Sequence, residues 1–155
     1  MASVAFDKLK ELVFNGDFAS LDLKAILVEE INPTMETSAG NPLLSAAVYP
    51  DVVRLHNAPD AGQPLTEISG TGYTTGGKFL ENVGVSVDGG VVSVSASNLT
   101  WEGATTTFDA GGVLLINFQG LLFPPIAYLD FGVTRSNVNG PFTLQWLSDG
   151  IFKVE

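Results

Sequence analysis

From Lys78 to its last residue this chain is a succession of short apolar or alternating runs separated by glycine, aspartate and proline, with no helical periodicity between them. That pattern excludes a βαβ layout, which needs a helix between successive strands, and points to an all-β fold. Residues 79–87 and 91–101 flank Asp88-Gly89-Gly90, the composition of a tight hairpin turn. Val91, Ser93, Ser95 and Ser97 alternate with Val92, Val94, Ala96 and Asn98, the period of a half-buried strand. Residues 113–118 and 126–131 are apolar runs of the fully buried kind. Residues 142–147 and 151–154 bracket Ser148-Asp149-Gly150, a second hairpin signal. A first strand over 22–30, ended by Asn32-Pro33, and one near 65–69 bring the count to about eight, as in a jelly roll or similar sandwich.

One clear helix precedes the strands. Over 3–14, Phe6, Leu9 and Val13 share a stripe while Asp7, Lys8, Lys10 and Glu11 take the other side. Ser3 is placed to cap its start and Asn15-Gly16 to stop it. The stripe suits docking on the chain's own core; clamping a neighbouring subunit is the alternative. The expected architecture is an all-β, jelly-roll-like β-sandwich with one short N-terminal α-helix. It forms a single domain over 1–155, with the helix in 1–16, the sandwich over 22–154 and a long irregular loop at 32–66. A chain of 155 residues can bury enough surface to need no disulfide or metal. The irregular stretch 34–68 carries Pro42, Pro50, Pro59 and Pro64, with a short helical turn expected over 43–49. So long a connection is uncommon in a compact domain, which makes it the first candidate for a contact surface.

Composition narrows the chemistry. Seven Lys and Arg against 17 Asp and Glu give a formal charge of -10, which repels nucleic-acid phosphates and argues against a nucleic-acid partner. The chain has no cysteine, which removes disulfides, thiolate metal sites and thiol nucleophiles. Its first residues lack the charge order of a signal peptide. Its most apolar stretch, 111–132, is interrupted by Asn117, Gln119, Gly120 and Pro124-Pro125, so no membrane span is expected. Charged residues are 15% of the chain against about 25% in an ordinary soluble domain, and no basic residue stands between Lys78 and Arg135. A β surface so sparsely charged tends to associate, which hints at work inside an assembly.

The stretch SGTGYTTGGK, residues 69–78, matches G-x-x-x-x-G-K from Gly72 to Lys78, but Phe79 stands where a phosphate loop needs Ser or Thr. An alternating strand comes after it, not the helix whose first amides would hold the phosphate. Gly70, Gly72 and Gly76 miss the dinucleotide spacing by one residue. The expected role is a tight exposed crossover, with Tyr73 free to pack or to reach a neighbour. His56, the only histidine, has Asp51 and Asp60 near in sequence but no nucleophile elbow, and reads as a loop surface residue. Asp88, Asp109 and Asp149 sit at or near glycines as turn residues, outside any calcium-loop pattern. Trp101 and Trp146 read as core or interface anchors more than as a sugar platform. No catalytic, cofactor-binding or metal-ligating residue is assigned.

Four blocks in order, EISGTGYTTGGK (67–78), LTW (99–101), AYLDFG (127–132) and NGPFTLQWLSDGIFKV (139–154), resemble a group of small structural proteins of tailed bacteriophages. In that group an opening helix and a K-A-I-L-V-like strand precede the same glycine-rich block, a D-F-G and a closing N-G…W…D-G-I-F. This chain departs from the pattern between Pro42 and Pro64, which is longer and richer in proline, so contacts made there do not carry over. The resemblance implies a non-enzymatic capsid decoration, or cement, protein on the outer surface of the virion. Its implied partners are the major capsid protein and further copies of itself, as a homodimer or homotrimer. The alternative within the virion is a neck, baseplate or tail-fibre component with a host-binding role. A bacterial enzyme or carbohydrate-binding domain is the remaining reading.

Overall fold

The computed structural model describes residues 4–15, 21–36, 40, 43–46, 48–119, 121–146 and 150–154. The chain is all-β with a single short helix, as expected. In chain order the elements are β1 (Val4–Ala5), α1 (Asp7–Asn15), β2 (Leu23–Val28), a 3-10 turn (Tyr49–Asp51), β3 (Val53–Arg54), β4 (Leu65–Thr66), β5 (Lys78–Phe79), β6 (Gly84–Asp88), β7 (Val91–Ser95), β8 (Leu99–Trp101), β9 (Phe108–Asn117), β10 (Pro125–Asn137), β11 (Phe142–Leu144) and β12 (Phe152–Val154). Two of the expected strands are each divided. The run 79–87 breaks at Asn82, whose φ is +54, and 91–101 breaks where the chain leaves one small sheet for another.

Antiparallel strands in the order β1-β10-β9-β2-β5 build a central five-stranded sheet. Its two central strands, β9 and β2, are buried along almost their whole length without alternation, so both faces have to be covered. One face presents Leu23, Ala25, Leu27, Val113 and Leu115 to Leu9 and Leu12 of α1 and to Val94, Leu99, Trp101, Phe142 and Ile151. Those last residues come from or flank the small sheets β12-β7-β6 and β11-β8. The other face presents Ile26, Val28, Leu114, Ile116 and Tyr128 to Phe6, Met35, Val52, Val53 and Leu65. The irregular stretch 34–68 is therefore first a cover for the sheet. Its crest stands outside, with Leu55 at 55% exposure and His56, Asn57 and Asp60 also exposed.

Three local expectations need correction. The helix starts at Asp7, because Val4 and Ala5 pair with Tyr128 and Ala127 on the edge of β10; Ser3 and Gly16 lie outside the described residues. Asp7 N–H then donates to Leu44 O at 2.8 Å, which ties the helix start to the turn at 44–45. Phe6 and Leu9 are buried as expected and Leu12 joins them, while Asp7–Lys10 and Lys8–Glu11 pair on the outer side. Second, β11 and β12 do not form a hairpin with each other. Phe142 sits opposite Trp101 on β8, and Phe152 opposite Val94 on β7, so nonlocal packing draws the two strands into different sheets. Ser148 and Asp149 lie outside the described residues. Third, β10 runs on past residue 131 to Asn137. Its register against β9 shifts between Asp130 and Arg135, and the Asp130 carboxylate accepts Gly132 N–H at 2.9 Å inside that bulge.

The first hairpin forms as expected. Asp88 faces Val91 across Gly89 and Gly90, whose φ values of +55 and +85 give the twist that a two-residue turn requires. Gly77 is a different case: its φ is +78, and a Cβ there would be driven into the Ala25 carbonyl of β2. Around Gly89 the space is open. Gly77→Ala should accordingly cost roughly 3 kcal/mol or more, combining backbone strain with a clash, and Gly89→Ala about 1 kcal/mol. Urea unfolding of both variants reads the difference; equal costs would contradict the close approach of loop and strand.

Candidate functional site

The glycine-rich segment closes on a buried carboxylate. Glu67 is only 4% exposed, and a buried charge needs hydrogen bonds to be tolerated. Its Oε1 accepts the Tyr73 hydroxyl at 2.8 Å and Gly76 N–H at 2.6 Å. The Tyr73 oxygen also accepts Leu27 N–H from β2 at 3.2 Å, so one hydroxyl joins the acid to the central sheet. Turns at Gly70–Tyr73 and Thr74–Gly77, with hydrogen bonds of 3.2 and 3.0 Å, fold the segment around these contacts. The Tyr73 ring lies 6.1 Å from Trp101 and edge-on to Phe108 at 5.8 Å. Burial, then the neighbouring Glu67 charge, push the Tyr73 hydroxyl well above its ordinary pKa. It stays a neutral donor to the carboxylate.

This arrangement answers what SGTGYTTGGK is for. The amide a phosphate loop would offer, at Gly76, is given to Glu67, and Lys78 Nζ donates to Thr100 O at 2.5 Å. The segment then runs straight into β5 on the edge of β2. Tyr73 packs inward, the first of the two roles open to it.

The other singled-out residues are dispersed. His56 Nδ1 pairs with the Glu29 carboxylate at the end of β2, while Asp60 pairs with Arg54 at 3.7 Å. Arg54 Nε also donates to Thr66 Oγ1 at 3.1 Å, so this exposed polar group braces the short β3–β4 pair. Asp88 closes the first hairpin, and Asp109 lies on β9 opposite Ser136. Among the described residues no three His, Cys, Asp or Glu side chains gather as metal ligands. Trp101 is buried between Tyr73, Phe108 and Phe142. Trp146 is half-buried and donates Nε1–H to Ser97 O at 2.9 Å. Both act as structural anchors.

A surface that patterning alone does not reveal lies between β9 and β10. Leu121 is 93% and Leu122 61% exposed, next to a groove of about 610 Å³ lined by Asp7, Lys8, Glu11 and Ala46 among others. Phe118, before the leucines in the chain, stacks at 4.1 Å on Phe123, which comes after them; Phe79 meets Phe118 edge-on at 5.5 Å, and Lys24 Nζ sits 4.6 Å from the Phe118 ring centre. Phe123 holds a φ of +47 and its carbonyl accepts Tyr49 N–H at 3.1 Å, so the loop has a fixed base. Adjacent exposed leucines make an apolar patch of the kind that contact surfaces use. The signal available in the sequence was the placement of Leu121-Leu122 between Gly120 and Pro124-Pro125, a turn setting where apolar residues gain nothing from the core.

Tyr73→Phe should lower stability by about 2 kcal/mol, since it strips the buried carboxylate of a donor and Leu27 N–H of its acceptor. A raised tyrosine pKa stabilises the fold fully below the ordinary value and is lost as pH climbs through the raised one, because the folded form then holds the extra proton. Stability should thus fall above about pH 10, and less steeply in the variant. Tyr128, likewise raised by burial and then by Asp130 and Glu30, accounts for part of the remaining slope. Urea midpoints of both proteins across alkaline pH check this; identical slopes would remove Tyr73 from the account.

Comparison with protein-family models, with curated proteins and with solved structures finds no match to this chain.

Proposed function

We propose that the chain is a structural subunit of a tailed-bacteriophage virion: a jelly-roll-like cement protein that decorates the outer capsid surface, bridges neighbouring capsomers of the major capsid protein and associates with copies of itself. The order of the four sequence blocks suggests the virion. The observation that carries the cement role is the braced Leu121–Leu122 loop beside its groove. Burying one leucine against a shell contributes roughly 1.5–3 kcal/mol, and copies held on one lattice gain further through multivalency. Such a subunit works by mass action: binding only the assembled lattice shifts the shell away from rupture. The exposed crest around Leu55 and His56 favours a second reading, a neck, baseplate or tail-fibre component whose crest meets the host.

The test adds purified protein to shells that lack it and measures co-sedimentation and the temperature of rupture. Wild-type protein should bind and raise that temperature. The double variant Leu121→Ser/Leu122→Ser should unfold within about 0.5 kcal/mol of wild type, because both side chains are already mostly in water. Its binding should weaken at least about tenfold. Shells that rupture alike with and without the wild-type protein would overturn the proposal.

A further inference from the structure

The outer edge of β6 is built to take a strand. Among the described residues it is the longest strand that ends a sheet, five residues against two or three for the others; the part of β10 past β1 also has one neighbour, but a bulge breaks its register and Arg135 stands on it. Proteins commonly blunt such edges with lysine, proline or a bulge. β6 has none of these: its register against β7 is unbroken and its one charge is Asp88, at the end. Val85 and Val87 stand 37% and 69% exposed along it.

The ladder says which groups are free. Asp88 and Val91 close a two-residue turn, so Asp88, Ser86 and Gly84 aim their N–H and C=O groups at β7, and those of Val85 and Val87 point away. Among the described residues no further main-chain bond reaches those two valines. Free groups at 85 and 87, with 86 between them, are symmetric about Ser86.

We propose that two copies of this chain pair through β6, antiparallel, about a two-fold axis at Ser86. Val85 exchanges both main-chain hydrogen bonds with Val87 of the partner subunit, and Val87 with Val85 of the partner subunit. The valines meet on one face and the two Ser86 side chains on the other. Charge permits this despite the formal -10 of each copy. Asp88 lies opposite Gly84 of the partner subunit, and the two Asp88 residues fall about 14 Å apart along the strands, beyond the screening length at physiological salt. The three-stranded sheets merge into one that crosses the dimer. One strand pair buries less than the roughly 1,200 Å² of a stable complex, so the dimer is weak in solution and gains strength where a lattice holds many copies. The inference deepens the self-association part of the proposed function and rests on it only there.

A chain without cysteine gives a clean cross-linking test. Directly opposed residues of a non-hydrogen-bonded pair have Cα atoms about 4.5 Å apart, within disulfide reach. Ser86→Cys should therefore oxidise to a covalent dimer, and Val85→Cys and Val87→Cys, each off the axis, should not match its yield. Sedimentation of the wild type over a concentration series should show monomer and dimer. Val87→Pro removes an N–H that the hairpin does not use and should abolish the dimer; Ser86→Lys, placing two ammonium groups across the axis, should do the same if the proline variant does not fold. A dimer that survives both substitutions, or a trimer, would move self-association elsewhere and overturn the inference while leaving the cement proposal standing. So would a chain that is monomeric throughout yet loses shell binding on Val87→Pro, since the edge would then take a foreign strand. Loss of shell binding through the Leu121–Leu122 loop tests the cement proposal separately.

Discussion

Burial of the central sheet on both faces is the constraint on which the rest of the fold depends. β2 and β9 carry aliphatic side chains on each side of their pleat, and neither set can be left in water. With one short helix to hand, the chain recruits two small sheets for one face and a largely irregular segment for the other. This explains why so long a connection stays in place. Met35, Val52, Val53 and Leu65 anchor it from below while its crest carries His56 and Asp60 outside.

A covering segment without regular structure must satisfy its polar groups some other way, and the Glu67 carboxylate is where much of that happens. Glu67 N–H donates to Arg54 O at 2.7 Å, its residue bridges Val28, and its side chain gathers Tyr73 and Gly76. Nearby, the Glu30 carboxylate accepts Thr66 N–H at 2.8 Å and Glu29 N–H donates to Thr66 O at 3.0 Å. The acids of this region thus tie the irregular cover and the glycine-rich crossover to one end of β2. An acid beside a tyrosine and a glycine loop has the ingredients of a catalytic site, and here each of these bonds is spent within the fold.

Local chemistry was legible in the sequence and nonlocal choice was not. Asp88-Gly89-Gly90 announces its hairpin because positive φ at both glycines is a property of the turn alone. The all-β class and β2 are read equally well from patterning. Ser148-Asp149-Gly150 carries the same kind of signal, yet the strand after it pairs with β7, a choice made by the core around Val94 and Ile151. Val4 and Ala5 look like the start of a helix until β10 offers an edge. The burial of Glu67 has no local signal, since nothing in its neighbourhood tells that Tyr73 will fold back onto it. Leu121 and Leu122 were hidden in the opposite sense, as members of an apolar run that otherwise belongs to the core.

Among the described residues the exposed apolar side chains include Leu121 and Leu122 on their loop and Val85 and Val87 on the β6 edge, beside Leu55, Val133 and Val138, on a chain with few basic groups. Apolar contact points of this kind suit a subunit that adds itself to an existing lattice and to its own neighbours, gaining from repetition what each contact lacks. The most direct measurement is the copy number of the chain per purified particle, from quantitative mass spectrometry against the major capsid protein. A cement protein should stand near parity with the shell protein; a count that is a small fraction of it would contradict the cement role and move the chain to the neck or tail.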